Sequence, residues 1–403
     1  MTKTQILKYK GELKHLYQKG DKKHTWIFSL FSIAIGFFIG FLVMLCVNPK
    51  NAGKGFATLL TGGFNNGFLY SIGNILFNCT PFIGVGLAVA ISSKAGVFNI
   101  GGSGQYVVGG GIALIVANLI NDYVPQGVGF LICLLCGMVA GGIYALIPAL
   151  LKNHFNVNIV VSAIMLNYIA TFGMGILTKA GPWFDSLHNR IANETIENCK
   201  VPTLGLGEIF SYTTRNGKLV ASRLDIAILL CILICIILFF VFKKTTFGYK
   251  IKTAGQNEIA AKYSGIDSKK QISYAMFLSG AMAGMGAVFS YLAKVPAMFQ
   301  PVSTVSQMGF TGISIALIAN NNPIAIIFSS ILISYIQTSG GGLTSVDFNA
   351  NIIGIITSVI IYSSATSFLL AKLVYSLKAT LSTKKKKAIL TNGLLLKEET
   401  NNE

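Results

Sequence analysis

Charge is scarce in this chain. Asp, Glu, Lys and Arg make up 11% of its 403 residues, against about 25% in soluble proteins. So little charge cannot cover a water-exposed surface. That excludes an ordinary cytosolic, secreted or disordered protein and leaves an integral membrane protein. Acidic residues are the scarcer sign, 14 against 32 basic, and none lies inside a long apolar run, Asp225 standing at the edge of one. Proton-coupled and many sodium-coupled carriers place carboxylates in the membrane as relays or ion ligands. Their absence counts against such carriers, while sodium sites made of carbonyls and hydroxyls stay open. The chain has no GxxxxGK[ST] phosphate loop and no HExxH pair. His15, His24, His154 and His188 are scattered through loops, so no catalytic constellation offers itself. Of the seven cysteines, Cys46, Cys79, Cys133, Cys136, Cys231 and Cys235 lie in apolar stretches and only Cys199 in a polar loop. They read as small packing residues, not as a disulfide framework.

What fills the chain instead is apolar. Hydrophobic residues are 53%, and there are 43 glycines besides. The first long run, Trp26 to Val47, is enough helix to cross a bilayer core at about 1.5 Å per residue. Further runs fall near 69–93, 98–118, 128–150, 158–178, 224–242, 272–292, 307–319, 323–340 and 351–371. The fold class is therefore an all-α polytopic helix bundle of about ten transmembrane helices. Two spans are irregular: 98–118 opens on a glycine cluster, and 307–319 is short. Non-helical backbone survives at membrane depth only where protein or a water-filled cavity satisfies it, so a transport route is sought at these two.

Lys and Arg set the orientation. With ten spans, 23 of the 32 basic residues fall on the side that carries both termini, and nine on the other. The basic side is the cytoplasm. The chain then divides into a basic cytoplasmic segment 1–25, a membrane domain 26–372 and a basic tail 373–403. Within the membrane domain lie an external loop 179–223 and a cytoplasmic loop 243–271.

Three segments carry more than hydrophobicity. Lys94 to Gln105 reads KAGVFNIGGSGQ, in which the glycines hold a regular helix poorly. Either the helix breaks there and the Asn99 and Gln105 amides line a route, or Asn99 caps a tight turn; both readings stand. In the cytoplasmic loop, Asn257-Glu-Ile-Ala-Ala-Lys-Tyr reads as a short helix capped by Asn257, with alanines on one side and Gly265 as its stop. It either seats in a partner's groove or is a solvated loop. Gly309 to Pro323 ends in Asn320, Asn321 and Asn322, which turn the chain or cap the next helix, started by Pro323. The pairs Gly36/Gly40, Gly137/Gly141 and Gly280/Gly284 read as helix contacts.

In order and spacing, GVFNIGGSGQ, AGQNEIAAKYSGI and GFTGISIALIANNNP resemble the permease subunits of ABC importers for nucleosides, within the group that also serves simple sugars and branched-chain amino acids. NVNIVVSAIMLNYIA at 156–170 resembles the nucleoside branch. The resemblance covers about 70–375. Ser103 departs from it, since many nucleoside permeases carry an acidic residue there. It implies a plasma-membrane permease that forms half of a translocation route for nucleosides, with simple sugars or an ATP-independent carrier as the alternatives. The implied partners are ATPase subunits that use the ATP, a second and shorter permease, a substrate-binding lipoprotein and membrane lipid. Nucleic acid is not among them, and no cofactor is implied in this chain. Gly255 to Asp267, with Gly255, Asn257, Ala260, Ala261, Gly265 and Ile266, would dock on the ATPase. Asn99, Gln105 and Asn167 are candidates to face the route, as are Gln307 and Asn320.

Overall fold

The computed structural model describes residues 25–64, 67–192, 196–213, 219–301, 304–349, 351–359 and 362–363. The N-terminal segment 1–25, apart from Thr25, and the tail 373–403 lie outside them, as does most of the last expected span beyond its helical residues 351–359. The chain forms two compact units, Met1–Val43 with Ile355–Glu403, and Met44–Gly354. Helix α1, Thr25–Val47, runs from the first unit into the second.

All else described here belongs to the second unit. Its helices are α2 (Ala52–Thr61), α3 (Phe68–Lys94), α4 (Gly102–Ile120), α5 (Val128–Phe155) and α6 (Ile159–Lys179). After the outer loop, with its short helix α7 (Leu206–Ile209), come α8 (Ala227–Lys244), α9 (Thr246–Gln256), α10 (Glu258–Tyr263), α11 (Ser268–Tyr291), α12 (Met308–Ile318) and α13 (Pro323–Gly340). Seven of these, α3 to α6, α8, α11 and α13, are long and apolar enough to span a membrane. Helix α12 is short, as its sequence predicts. The only strands among the described residues are two small antiparallel hairpins in the outer loop, Phe184–Asp185 with Arg190–Ile191 and Ser211–Thr213 with Leu219–Ala221.

The centre of the unit is α11, buried along most of its length. Without a hydrophobic force between helices in lipid, close backbone approach is what holds them. Small residues supply it. A Cβ at Gly141 would stand 2.5 Å from the Gly280 carbonyl, and one at Gly109 would stand 2.6 Å from Gly284 Cα and 2.8 Å from the Gly137 carbonyl. The expected Gly137/Gly141 and Gly280/Gly284 pairs thus face one another across α5 and α11. Serines add hydrogen bonds to backbone: Ser334 donates to the Ile75 carbonyl at 2.7 Å and Ser329 to that of Ile315 at 3.1 Å.

Alternating helix direction gathers the basic residues at one end. Lys94 ends α3 and sits 5.5 Å over the Phe242 ring near the end of α8. Lys269, in the first turn of α11, donates to the Asn153 carbonyl at the end of α5 at 2.8 Å. The outer loop is folded against the helices. Cys199 is fully buried, because the turn Glu197–Cys199 lies against α4 and the first turn of α5. Asn198 is tied to Asn121 by two hydrogen bonds, and the Cys199 thiol faces the Ala117 carbonyl.

Candidate functional site

The sequence motifs meet at one place. After Lys94 the chain turns at Gly96 (φ +71°), runs without helix through 97–100 and enters α4 at Gly102. The glycine cluster therefore starts a helix instead of interrupting one, and the break lies just before it. This non-helical stretch is inside the protein: Asn99, Gln105 and Asn167 are 1–2% exposed. It is also deep. Asn99 bonds Ser279, eleven residues into α11, roughly 16 Å from that helix's basic end at about 1.5 Å per residue.

Each polar group in the stretch has a partner of a specific kind. The Asn99 amide donates to Gln105 Oε1 at 2.9 Å and to Ser279 Oγ at 2.8 Å, and its oxygen accepts from the Gly101 N–H at 2.9 Å. Ser279 passes its proton on to the Ala88 carbonyl of α3 at 2.6 Å. Asn167 reaches across from α6: its oxygen accepts the Gly104 N–H at 2.8 Å and its amide donates to the Ile100 carbonyl at 3.1 Å. Those two backbone groups are the ones that an extra turn of α4 would pair with each other, i to i−4. The Asn167 amide is spliced into that missing bond. Such satisfaction is obligatory, since an unmade buried hydrogen bond costs about 1–3 kcal/mol.

Asn99, Gln105 and Asn167 thus form one knot, closed on itself in this conformation. Ser103 beside it is buried with an unpartnered hydroxyl, lying against Gly309 at the start of α12. Gln307 and Asn320 stand elsewhere. Gln307 is exposed and borders a cavity of about 260 Å³ with Tyr291 and Phe299. Asn320 is exposed in the turn before α13, left-handed at φ +49° like Asn321, while Asn322 caps α13 by accepting from the Ile324 N–H at 3.1 Å. Ser279 is the member that sequence reasoning passed over, because a lone serine beside Gly280 looks like one more small packing residue.

The cytoplasmic loop is folded as a hook. Asn257 Oδ1 accepts from the Ala260 N–H at 3.0 Å and starts α10. Gly265 (φ +73°) stops it, with Ile266 N–H donating to the Ala261 carbonyl at 2.9 Å and Gly265 N–H to that of Lys262 at 3.0 Å, the paired bonds of a Schellman stop. The sides differ from the sequence expectation. Ala261 and Ile266 are buried against the protein, Ala260 is exposed, and beside it Ile259 and Tyr263 stand out at 70% and 90% exposure. The outer face is thus an isoleucine and a tyrosine one turn apart. The hook meets the knot's own non-helical segment backbone to backbone: a Cβ on Gly96 would lie 2.6 Å from the Gly255 carbonyl.

A multi-helix membrane domain with a re-entrant, internally satisfied segment and an apolar hook at its basic end defines a multi-pass plasma-membrane transport subunit. More narrowly, a family model for the branched-chain amino acid transport system permease component matches residues 71–365, and the chain belongs to that family. As a permease of ABC transport systems, it works with ATPase subunits. Among its relatives is the nucleoside ABC transporter permease protein NupB of Lactococcus lactis subsp. cremoris, 30% identical over 91% of this chain and 98% of the relative. The guanosine ABC transporter permease protein NupP of Bacillus subtilis is 29% identical over 84% and 92%. The glucose ABC transporter permease protein TsgB13 of Haloferax volcanii is 27% identical over 81% and 83%. No solved structure matches the chain.

Proposed function

We propose that this chain is one half of the membrane pore of an importer for nucleosides. The observation that carries it is the similarity to NupB over nearly the whole of both chains. In this reading the second half of the pore is a shorter permease, and a lipoprotein outside delivers the nucleoside. ATP is bound and hydrolysed on separate subunits; this sequence has no phosphate-binding loop for it and needs no cofactor of its own. The membrane domain is 26–372, flanked by basic cytoplasmic segments.

Gly255 to Asp267 docks on the ATPase through Ile259, Ala260 and Tyr263, which suit a hydrophobic groove. Closure of the ATPases then moves the hook and, through Gly255 and Gly96, the segment that carries Asn99 and Gln105 and is bonded by Asn167 of α6. Those amides guard the route: Asn99 and Gln105 are closed on each other here and Asn167 on the backbone between them, and these bonds part when the segment moves. Gln307 borders the route on its outer side, and Asn320 turns the chain before α13. Uptake of labelled nucleosides into vesicles holding the full complex tests the reading, with ribose and leucine as competitors. ATP-dependent accumulation of nucleosides that neither competitor reduces is expected. Accumulation of ribose or leucine without nucleosides would overturn it.

A further inference from the structure

At the end of the second unit opposite Lys94 and Lys269, a cavity of about 360 Å³ opens between α3, α11 and α13. Its size falls within the range of small-molecule sites, about 300–1,000 Å³. Its wall is layered. The most buried part of the lining is apolar, with Phe82 and Phe289 almost fully buried and Met308 half-buried. It lies where Pro81 interrupts the α3 ladder, and Thr80 satisfies the carbonyl that proline leaves free by donating to Phe77 O at 2.9 Å. Half-way up stands Asn78, which gives one N–H to Thr338 Oγ1 at 3.3 Å and has no other protein partner among the described residues. Gln337 and Arg223 are exposed at the rim. Behind the wall, the buried Tyr106 hydroxyl lies beside Ser290.

This layering selects a ligand class. The lining holds one ionisable side chain, Arg223, and no carboxylate. The ammonium group of an amino acid would find no counter-charge there, and burying it unpaired is costly. A free sugar is polar around its whole edge and would leave its hydroxyls against the phenylalanines. A nucleoside has a flat, weakly polar base whose edge carries donors and acceptors, and a hydroxyl-rich ribose at one end. The apolar floor suits the base, the Asn78 and Gln337 amides can both donate and accept along its edge, and Arg223 offers N–H groups to ribose oxygens at the rim.

We propose that this cavity is the permease's own nucleoside subsite, base down and ribose at the mouth, with Asn78, Gln337 and Arg223 reading the ligand. The proposal rests on the nucleoside reading above and adds to it that the membrane subunit itself recognises the substrate.

The test is ligand protection of a reporter thiol in the assembled complex. Gln337→Cys and, separately, Ala297→Cys are introduced at the rim, and the complex is reconstituted in right-side-out vesicles. A membrane-impermeant methanethiosulfonate is applied, and labelling at that position is read by peptide mass. Adenosine, guanosine, uridine, ribose and leucine are the ligands. At a nucleoside concentration about ten times its Kd, labelling should slow about elevenfold, the factor 1 + [L]/Kd. Ribose and leucine should leave the rate unchanged. If no nucleoside protects either position in vesicles that still accumulate nucleosides, the cavity is off the route and the proposal fails alone. If the vesicles accumulate ribose or leucine and no nucleoside, the importer reading fails and takes the proposal with it.

Discussion

Replacing Asn167 by leucine should unfold the permease before it alters what is transported. The side chain holds two backbone groups, the Gly104 N–H at 2.8 Å and the Ile100 carbonyl at 3.1 Å, in a site 2% exposed. Side-chain hydrogen bonds between membrane helices are worth only about 0.6 kcal/mol on average, because the separated helices find other partners. That average does not apply here. Gly104 and Ile100 sit at a helix start where the ladder is already missing, and leucine can bond neither. Each orphaned group costs about 1–3 kcal/mol, and a net loss of about 3 kcal/mol is expected once some local relaxation is allowed. Thr171→Val is the control, since the Thr171 hydroxyl donates at 2.8 Å only to the Asn167 carbonyl one turn back in its own helix; its loss should cost under about 1 kcal/mol. Thermal or denaturant unfolding of the purified complex, beside labelled-nucleoside uptake, reads both variants. If Asn167→Leu unfolds like the parent while uptake or preference changes, the amide faces a substrate and the splice argument is wrong.

Four shorter expectations follow from the same structure. Gly265→Pro cannot adopt φ +73°, because proline fixes φ near about −65°, and Ala260→Glu puts a charge on the exposed hook face. Both should leave the protein in the membrane and abolish ATP-driven uptake, and normal uptake in both would remove the hook from the mechanism. Asp225 is buried, and desolvation lifts its carboxyl from 3.8 to about 7. The folded state therefore keeps a proton that the unfolded chain has lost, so stability falls as pH rises between those values. Asp225→Asn can still accept from the Ala227 N–H and should flatten that slope and melt higher at pH 8; an unchanged pH profile would refute it. Gly284→Leu would drive a side chain into the Gly137 carbonyl and should cost about 3 kcal/mol or more, read as lost expression of folded protein. Finally, Cys199 should resist impermeant thiol reagents from either side until the complex is denatured, and labelling of the native protein would show that the outer loop opens.

The elements whose shape is set within one turn of chain were legible from sequence. Asn257 and Gly265 bracket α10 because capping and left-handed stops are local chemistry, and the glycine pairs of α5 and α11 announce close approach by their spacing alone. Asn99, Gln105 and Asn167 were all legible as candidates, but not the bonds that join them. Asn167 caps a helix 63 residues away and Ser279 closes the network from 180 residues away, and no local pattern marks either partnership. The direction of α10 also escaped. Two adjacent alanines suggest a small face, but the body of the protein takes Ala261 and leaves Ile259 and Tyr263 outward. Cys199 is a packing residue, as the sequence reading has it, but polar neighbours in sequence do not tell which helices its loop is folded against.

Gly96 and Gly255 bear on how force could travel through this molecule. A Cβ at Gly255 would lie 2.5 Å from both Ala95 C and Gly96 N, so the hook and the non-helical segment touch with nothing between them but main chain. Side chains in a contact act as springs, since a rotamer can swing and absorb a small displacement. Main chain against main chain has no such compliance. A shift of the hook is therefore passed to the non-helical segment with little side-chain give, three residues from Asn99. A side chain at either glycine would first wedge the two backbones apart, since its Cβ would lie within 2.6 Å of main chain at Gly96 and within 2.4 Å at Gly255, and so would replace this rigid contact with a displaced one.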